Sequence, residues 1–125
     1  MRQTRVLGII VLAFAGCGRL QPCQNEIISR ERSPDGTWDA VRTVRGCGAT
    51  VRSRTGVSII AAGDELPSEL RGNVLYYWDS VGAGLEPMNV RWLSPGQLEV
   101  TYDHRANVHV QSVVYNGVRI SYKTR

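Results

Sequence analysis

Three cysteines are the residues of this chain whose spacing points most directly to chemistry: Cys17, Cys23 and Cys47. Cys17 lies in the stretch VLAFAGCG, residues 11–18, which follows a basic N-terminus. Residues 6–15 are an uninterrupted apolar or small run of the kind found in secretory signals. As a helix this run covers about 15 Å, half of the roughly 30 Å hydrocarbon core of a bilayer, so a transmembrane helix is not expected.

Two cleavage sites compete in this signal. Residues 13–15, Ala-Phe-Ala, fit the small-x-small pattern and would leave a chain that begins at Gly16. Ala15-Gly16-Cys17 resembles the bacterial lipobox, in which the cysteine is acylated on sulfur and becomes the first residue, although Phe14 stands where the motif usually has Leu. The second site predicts a lipoprotein, and the first predicts a periplasmic or secreted protein.

The lipoprotein interpretation divides the chain into three parts. They are a signal peptide over residues 1–16, a lipidated Cys17 with a short tether over residues 17–22, and one domain over residues 23–125. Gly18, rather than Asp, follows the cysteine, which is similar to the sorting pattern of lipoproteins bound for an outer membrane. We therefore expect a location in the bacterial cell envelope, at the outer membrane if the organism has one.

The number of cysteines also favours the lipid anchor. Cleavage after Ala15 would place three cysteines in an oxidising compartment and leave one thiol over. If Cys17 carries lipid, Cys23 and Cys47 can form one intramolecular disulfide, closing a loop of about 25 residues worth about 3.5 kcal/mol in the chain-entropy model. The alternative for this pair is two reduced, buried thiols.

Basic residues surround the third cysteine. Between residues 41 and 55 the chain carries four arginines and no carboxylate: Arg42, Arg45, Arg52 and Arg54. With Cys17 acylated and Cys23 bridged to Cys47, some of these arginines would lie near the lipid head groups, where each contributes about 1 kcal/mol of attraction to an anionic surface. The sequence thus suggests a membrane-facing basic patch, and the alternative is a pair of solvated strand faces.

Histidines and carboxylates are the remaining candidates for catalysis or metal binding. Asp103, His104, His109 and Asp79 are the groups that could converge. His104 and His109 are five residues apart, which in an extended chain places them on opposite faces. No serine has a nucleophile-elbow context and no glycine-rich phosphate loop follows a predicted strand. We therefore predict no catalytic residue, no metal site and no cofactor.

Charge and length limit the partners. Removal of residues 1–16 takes away two of the 15 basic residues and none of the 11 acidic ones, so the net charge falls from +4 to +2. A nearly neutral chain without a basic stripe of interleaved aromatics is not expected to bind nucleic acid. About 109 residues remain, enough for one domain with one modest core.

That domain is predicted to be all-β, a small antiparallel β-sandwich or barrel of about seven to eight strands with hairpin connections. The predicted strands are Glu26–Arg30, Trp38–Arg45, Gly56–Ala61, Asn73–Asp79, Met88–Leu93, Leu98–Tyr102, Val108–Tyr115 and Val118–Lys123. Asn116-Gly117 supplies the two positive-φ residues of a type I′ turn between the last two strands. Residues 67–70 could form a single helical turn.

Aromatic residues in the fourth predicted strand offer another candidate site. In residues 74–79, VLYYWD, both faces of an extended chain are largely apolar, which favours a central strand in the core. The alternative is that Tyr77, together with Trp92, forms an exposed recognition patch for a protein or a glycan.

The order of short motifs resembles a family of small bacterial secreted or lipid-anchored proteins that has no assigned function. The motifs are the lipobox-like Cys17, the early Cys23, Ser33-Pro-Asp-Gly36, Asp39-Ala-Val41, Cys47-Gly-Ala-Thr50, Val57-Ser-Ile59, Val90-Arg-Trp-Leu93 and Leu98-Glu-Val-Thr-Tyr102. The resemblance spans most of the chain after the signal and carries over no catalytic residue. Gly46 and Val51 depart from the family pattern around Cys-Gly-Ala-Thr.

The expected function follows from these observations. We expect a non-enzymatic envelope protein that binds the membrane through its N-terminal lipid and interacts with an envelope protein or a glycan. The first alternative is a periplasmic inhibitor of a host or phage enzyme such as lysozyme. The second is a weak hydrolase or metal binder that uses His104.

Overall fold

The fold consists of strands. A computed structural model describes residues 24–46, 54–78, 85 and 87–125. Within these ranges the chain forms nine strands: β1 (Gln24–Arg32), β2 (Trp38–Gly46), β3 (Arg54–Ala61), β4 (Leu75–Trp78), β5 (Asn89–Ser94), β6 (Gln97–Tyr102), β7 (Asn107–Gln111), β8 (Val114–Tyr115) and β9 (Val118–Thr124). Each of the eight predicted strands overlaps one or two of them. In the described part of the chain no helix is long and apolar enough to cross a membrane.

The strands form two open sheets, which confirms the all-β prediction as a sandwich rather than a barrel. The five-stranded sheet has the order β1-β2-β3-β4-β7, with every pair antiparallel. The four-stranded sheet has the order β5-β6-β9-β8. Its central pair, β6 and β9, is parallel, whereas the sequence predicted hairpin connections. This pair is parallel because the chain leaves β6 for the other sheet and returns before β9.

The crossing between the sheets divides a predicted strand. The stretch from Val108 to Tyr115 was expected to be continuous, but β7 pairs with β4 and β8 pairs with β9. At Ser112 the backbone N–H donates to the carbonyl of Val74 at 2.8 Å, and the hydroxyl of Tyr122 donates to the carbonyl of Ser112. These hydrogen bonds attach Ser112 to both sheets, so the strand ends there.

The core lies between the sheets and is built by alternate residues of each strand. Leu75 and Tyr77 of β4 face Leu98 and Val100 of β6 within one buried cluster. Tyr77 is 2% exposed, and its ring stacks on that of Tyr102 with centroids 6.2 Å apart. The prediction that this strand belongs to the core is therefore confirmed, and the alternative that placed Tyr77 in an exposed patch is wrong.

Two predicted turns differ in how closely they match the structure. Asn116 has φ 49° and Gly117 has φ 78°, which confirms the two positive-φ residues of the hairpin between β8 and β9. Pro67 to Leu70 forms a single turn, closed by a hydrogen bond from the Leu70 N–H to the Pro67 carbonyl at 3.0 Å, and no helix. Residues 67–70 thus form one hydrogen-bonded turn that does not continue into a helix.

A cover segment, residues 62–73, folds over the face of the five-stranded sheet that points away from the other sheet, here the outer face. The side-chain amide of Asn25 donates to the carbonyl of Leu70 at 2.8 Å. A Cβ on Gly56 would lie 2.1 Å from the carbonyl oxygen of Arg71, so only glycine lets the backbones approach this closely. Val41 and Tyr76, on this outer face, are both buried.

Candidate binding site

One row of cross-strand partners crosses the five-stranded sheet at the end where β1 begins. Its members are Asn25, Arg45, Arg54, Trp78 and Asn107. Arg45 donates from Nη1 to the Asn25 side chain at 3.3 Å and to the Ser68 carbonyl at 3.1 Å. The guanidinium of Arg54 lies 4.1 Å from the centre of the Trp78 ring. This row is therefore held by contacts of its own and by the cover segment.

The row contains half of the basic patch suggested by the sequence. Arg45 and Arg54 are direct partners and share the outer face. Arg42 is the partner of Val57, a core residue, and so lies on the opposite side of the sheet. Arg52 lies outside the described residues. The three described arginines share one feature, because each has a buried Nε with no hydrogen-bond partner among the described residues.

A groove opens on the outer face beside this row, with a volume of about 420 Å³. The β-strand alternation places Tyr76 and Trp78 of β4 side by side, and both line the groove. His109 reaches it from β7 at a register shift, where it is left between the partners of Tyr76 and Tyr77. The whole lining is Glu69, Arg71, Gly72, Tyr76, Trp78, His109 and Val110.

Three rings shape the groove. The centroids of Trp78 and His109 are 5.2 Å apart with their planes at 49°, and those of Tyr76 and His109 are 6.3 Å apart at 51°. Tyr76 is 4% exposed, and its hydroxyl has no hydrogen-bond partner among the residues described. Glu69 and Arg71 are exposed on the cover segment. The lining thus combines tilted aromatic rings with an exposed acceptor and an exposed donor, and it includes a tyrosine whose buried hydroxyl has no partner among the described residues.

A buried carboxylate, Asp39, lies at the opposite end of the same sheet. Asp39 accepts hydrogen bonds from Arg30 and Arg32, each at 3.2 Å, and from the Gly63 N–H at 2.9 Å. Burial by itself raises the pKa of Asp39, but the hydrogen bond from Gly63 and the two guanidinium groups outweigh it and lower this pKa overall. Through these contacts Asp39 holds the β1–β2 hairpin against the turn after β3.

Of the predicted histidine and carboxylate candidates, Asp103 and His104 lie together, with 3.8 Å between Asp103 Oδ1 and His104 Nδ1, whereas His109 lies elsewhere. Asp103 is buried and forms a bidentate ion pair with Arg105, with distances of 2.6 and 3.0 Å. His104 contacts the carbonyl of Arg125 through Nδ1, whereas His109 belongs to the groove. Asp79 lies outside the described residues. Within the described ranges no group of three or more His, Cys, Asp or Glu residues is placed to hold a metal ion.

The structure places the other predicted site residues as follows. Trp92 is half-buried and donates from Nε1 to the carbonyl of Glu31 at 2.7 Å, which links β5 to β1. The predicted lipidation and disulfide residues, Cys17, Cys23 and Cys47, lie outside the described residues.

Sequence reasoning missed the groove because it selected Tyr77 instead of the two residues beside it. The alternation in residues 74–79 already put Tyr76 and Trp78 on one face, and a glycine at position 56 is the available sign that a segment covers that face. Comparison with protein-family models, with curated proteins and with solved structures found no match to this chain.

Proposed function

We propose that this chain is a lipid-anchored protein of the bacterial cell envelope that acts as a binding module and not as an enzyme. The observation that carries the proposal is that the groove and the arginine row lie at the end of the five-stranded sheet where β1 begins. Six residues lie between Cys17 and Gln24, so the two are at most about 25 Å apart. A lipid on Cys17 would therefore hold this end of the domain close to the bilayer.

The register of the first two strands supports a disulfide between Cys23 and Cys47. Gln24 is the cross-strand partner of Gly46; Cys23 directly precedes Gln24 in the sequence and Cys47 directly follows Gly46. One further step of the same antiparallel pairing would bring the two Cα atoms to about 4.5–5.5 Å, within the usual range for a disulfide. The bridge would then join the residue before β1 to the residue after β2.

The same end has the positive charge suited to an anionic membrane surface. Arg45 and Arg54 bring two positive charges to the outer face, and each can contribute about 1 kcal/mol of attraction to anionic head groups. We propose that these two arginines face the head groups.

The anchor and the bridge are tested together by the intact mass of the full-length chain isolated from bacterial membranes. We expect a chain that starts at Cys17 with added acyl mass, and a gain of about 2 Da on reduction. Cys23→Ser and Cys47→Ser should each abolish this gain, and Cys17→Ser should abolish the acyl mass. A soluble chain that starts at Gly16 would rule out the anchor, and an unchanged mass on reduction would rule out the bridge.

Membrane orientation is tested by neutron reflectometry of the lipidated protein on anionic and neutral bilayers. We expect charge reversal at Arg45 and Arg54 to change the tilt of the domain on the anionic bilayer. Arg91→Glu is the matched control because Arg91 is an exposed residue of β5 in the other sheet. If the double variant keeps the tilt of the unmodified protein, the row does not face the membrane, whatever the mass experiment shows.

A further inference from the structure

We infer that the groove beside Trp78 binds a carbohydrate, a short saccharide that inserts one or two sugar rings between the cover segment and β7. This inference rests on the proposed binding function and names its ligand class. The volume of about 420 Å³ falls within the range of about 300–1,000 Å³ that small-molecule sites occupy. The groove is therefore large enough for a ligand of this size.

The aromatic walls fit the apolar side of a sugar. A pyranose ring presents C–H groups on its faces and hydroxyl groups around its edge. The rings of Trp78 and His109 meet at 49°, so they form an angled wall that can contact one face and one edge of such a ring. The guanidinium of Arg54 rests on the indole at 4.1 Å and holds it in place before a ligand arrives. A preformed wall lowers the entropic cost of binding.

The polar groups fit the hydroxyl groups of a sugar. Each sugar hydroxyl can both donate and accept, so a site for it needs donors and acceptors close together. Glu69 supplies an acceptor and Arg71 supplies donors, and Tyr76, a further residue of the lining, carries a buried hydroxyl that can do either. That hydroxyl is buried without a partner among the described residues, which makes it the group with most to gain from a ligand. The exposed side chains of Glu69 and Arg71 can turn outward to admit one.

Other ligand classes fit less well. A cationic ligand would meet Arg71, and the Trp78 ring already carries the guanidinium of Arg54. An apolar ligand would leave the Tyr76 hydroxyl unpaired and would strip water from the charged rim. An anion would meet the carboxylate of Glu69. A neutral polyhydroxylated ligand carries no charge that Arg71 or Glu69 would repel, and its hydroxyl groups can pair with the Tyr76 hydroxyl.

The inference is tested by titrating the full-length lipidated protein, reconstituted in lipid nanodiscs without glycoside detergent, with two probes. The probes are a β-1,4-linked N-acetylglucosamine tetramer and maltotetraose, and binding is measured by saturation-transfer NMR and calorimetry. We expect at least one probe to bind. Trp78→Ala should weaken binding at least about tenfold, and Tyr76→Phe should weaken it about three- to tenfold.

Two controls separate binding from folding. Tyr76→Phe removes a hydroxyl that has no partner among the described residues of the free protein, so its thermal midpoint should be unchanged or higher while its affinity falls. Trp92→Phe alters a tryptophan away from the groove and should leave affinity unchanged. The inference is overturned if neither probe binds at about 10 mM, or if the two groove variants bind as tightly as the unmodified protein. Neither result bears on the proposal of a lipid anchor, which the intact-mass measurement tests separately.

Discussion

The guanidinium of Arg54 lies 4.1 Å from the centre of the Trp78 ring, and the two residues are direct cross-strand partners between β3 and β4. Both side chains are half-buried, and the Arg54 Nε is buried without a hydrogen-bond partner among the described residues. A partly desolvated cation held against an indole gains more than one fully in water. This pair therefore connects the arginine row to the wall of the groove.

Replacing Arg54 by glutamine should lower the free energy of unfolding by about 1 kcal/mol, because the substitution removes the cation and keeps most of the stem. Urea denaturation followed by circular dichroism measures the loss. Arg91→Gln is the control, since the Arg91 side chain is 63% exposed and its partner Glu99 keeps a second ion pair with Lys123, and it should cost less than about 0.5 kcal/mol. Equal losses for the two variants would show that the ring contact contributes nothing specific.

The stability of the domain should depend on pH through Asp39. The folded state lowers the pKa of this carboxyl below its ordinary value of 3.8, so the unfolded state binds the proton more readily. Its stabilising contribution is complete above the ordinary pKa and is lost as the pH falls through that value and on through the lower, folded one. Urea midpoints measured between about pH 6 and pH 2 should therefore fall as the pH decreases.

The substitution Asp39→Asn tests whether this pH dependence of stability comes from Asp39. We expect the variant to lose about 1.5–3 kcal/mol at neutral pH, because an uncharged amide cannot replace a carboxylate between Arg30 and Arg32. Its stability should then fall less steeply below about pH 4 than that of the unmodified protein. Asp64→Asn changes an exposed carboxyl of the same region and should retain the steep fall. A parallel decline in all three proteins would contradict the assignment to Asp39.

The parts of the fold that the sequence predicted well depend on local chemistry. The last hairpin is an example: Asn116 and Gly117 tolerate positive φ, and Val118 and Ile120 alternate with exposed residues, so turn and register follow from a few neighbours. The parallel pairing of β6 with β9 was not predictable in this way. It accompanies a crossing at which Ser112 binds Val74, a residue distant in sequence that directly precedes β4, and also binds Tyr122 of β9.

The candidate site was only partly predictable for the same reason. Alternation put Tyr76 and Trp78 on one face of β4 and Tyr77 on the other, but it could not say which face meets the second sheet. That choice is made by the register with β3, where Val57 and Leu75 are core partners. His109 joins the groove through an irregular register in β7, a feature that no strand pattern in the sequence signals.

Gly117 should be the most sensitive position of the last hairpin. Its φ of 78° lies in the left-handed region, so Gly117→Ala should cost about 1 kcal/mol even though a Cβ there would meet nothing within 4 Å. Gly96→Ala is the matched control, because a Cβ at Gly96 also meets nothing within 4 Å and no left-handed φ is required there. Thermal unfolding should separate the two variants, and equal midpoints would contradict a backbone origin for the effect.

Gly56→Ala should detach the cover segment and with it one wall of the groove. An added Cβ would lie 2.1 Å from the backbone carbonyl of Arg71, a contact that no side-chain movement relieves. The preference of a strand for alanine over glycine is worth about 0.5–1 kcal/mol, whereas overpacking against backbone costs about 1–3 kcal/mol, so a net loss is expected.

Hydrogen exchange at the Leu70 and Val74 amides tests this prediction, because both amides are hydrogen-bonded in or beside the cover segment. We expect faster exchange at these two positions in Gly56→Ala and unchanged exchange at Arg119, which binds the Gly96 carbonyl in the other sheet. Gly46→Ala, where a Cβ meets nothing within 4 Å, should leave all three unchanged. If Gly56→Ala protects Leu70 as well as the unmodified protein does, the close approach of the two backbones does not hold the cover segment in place.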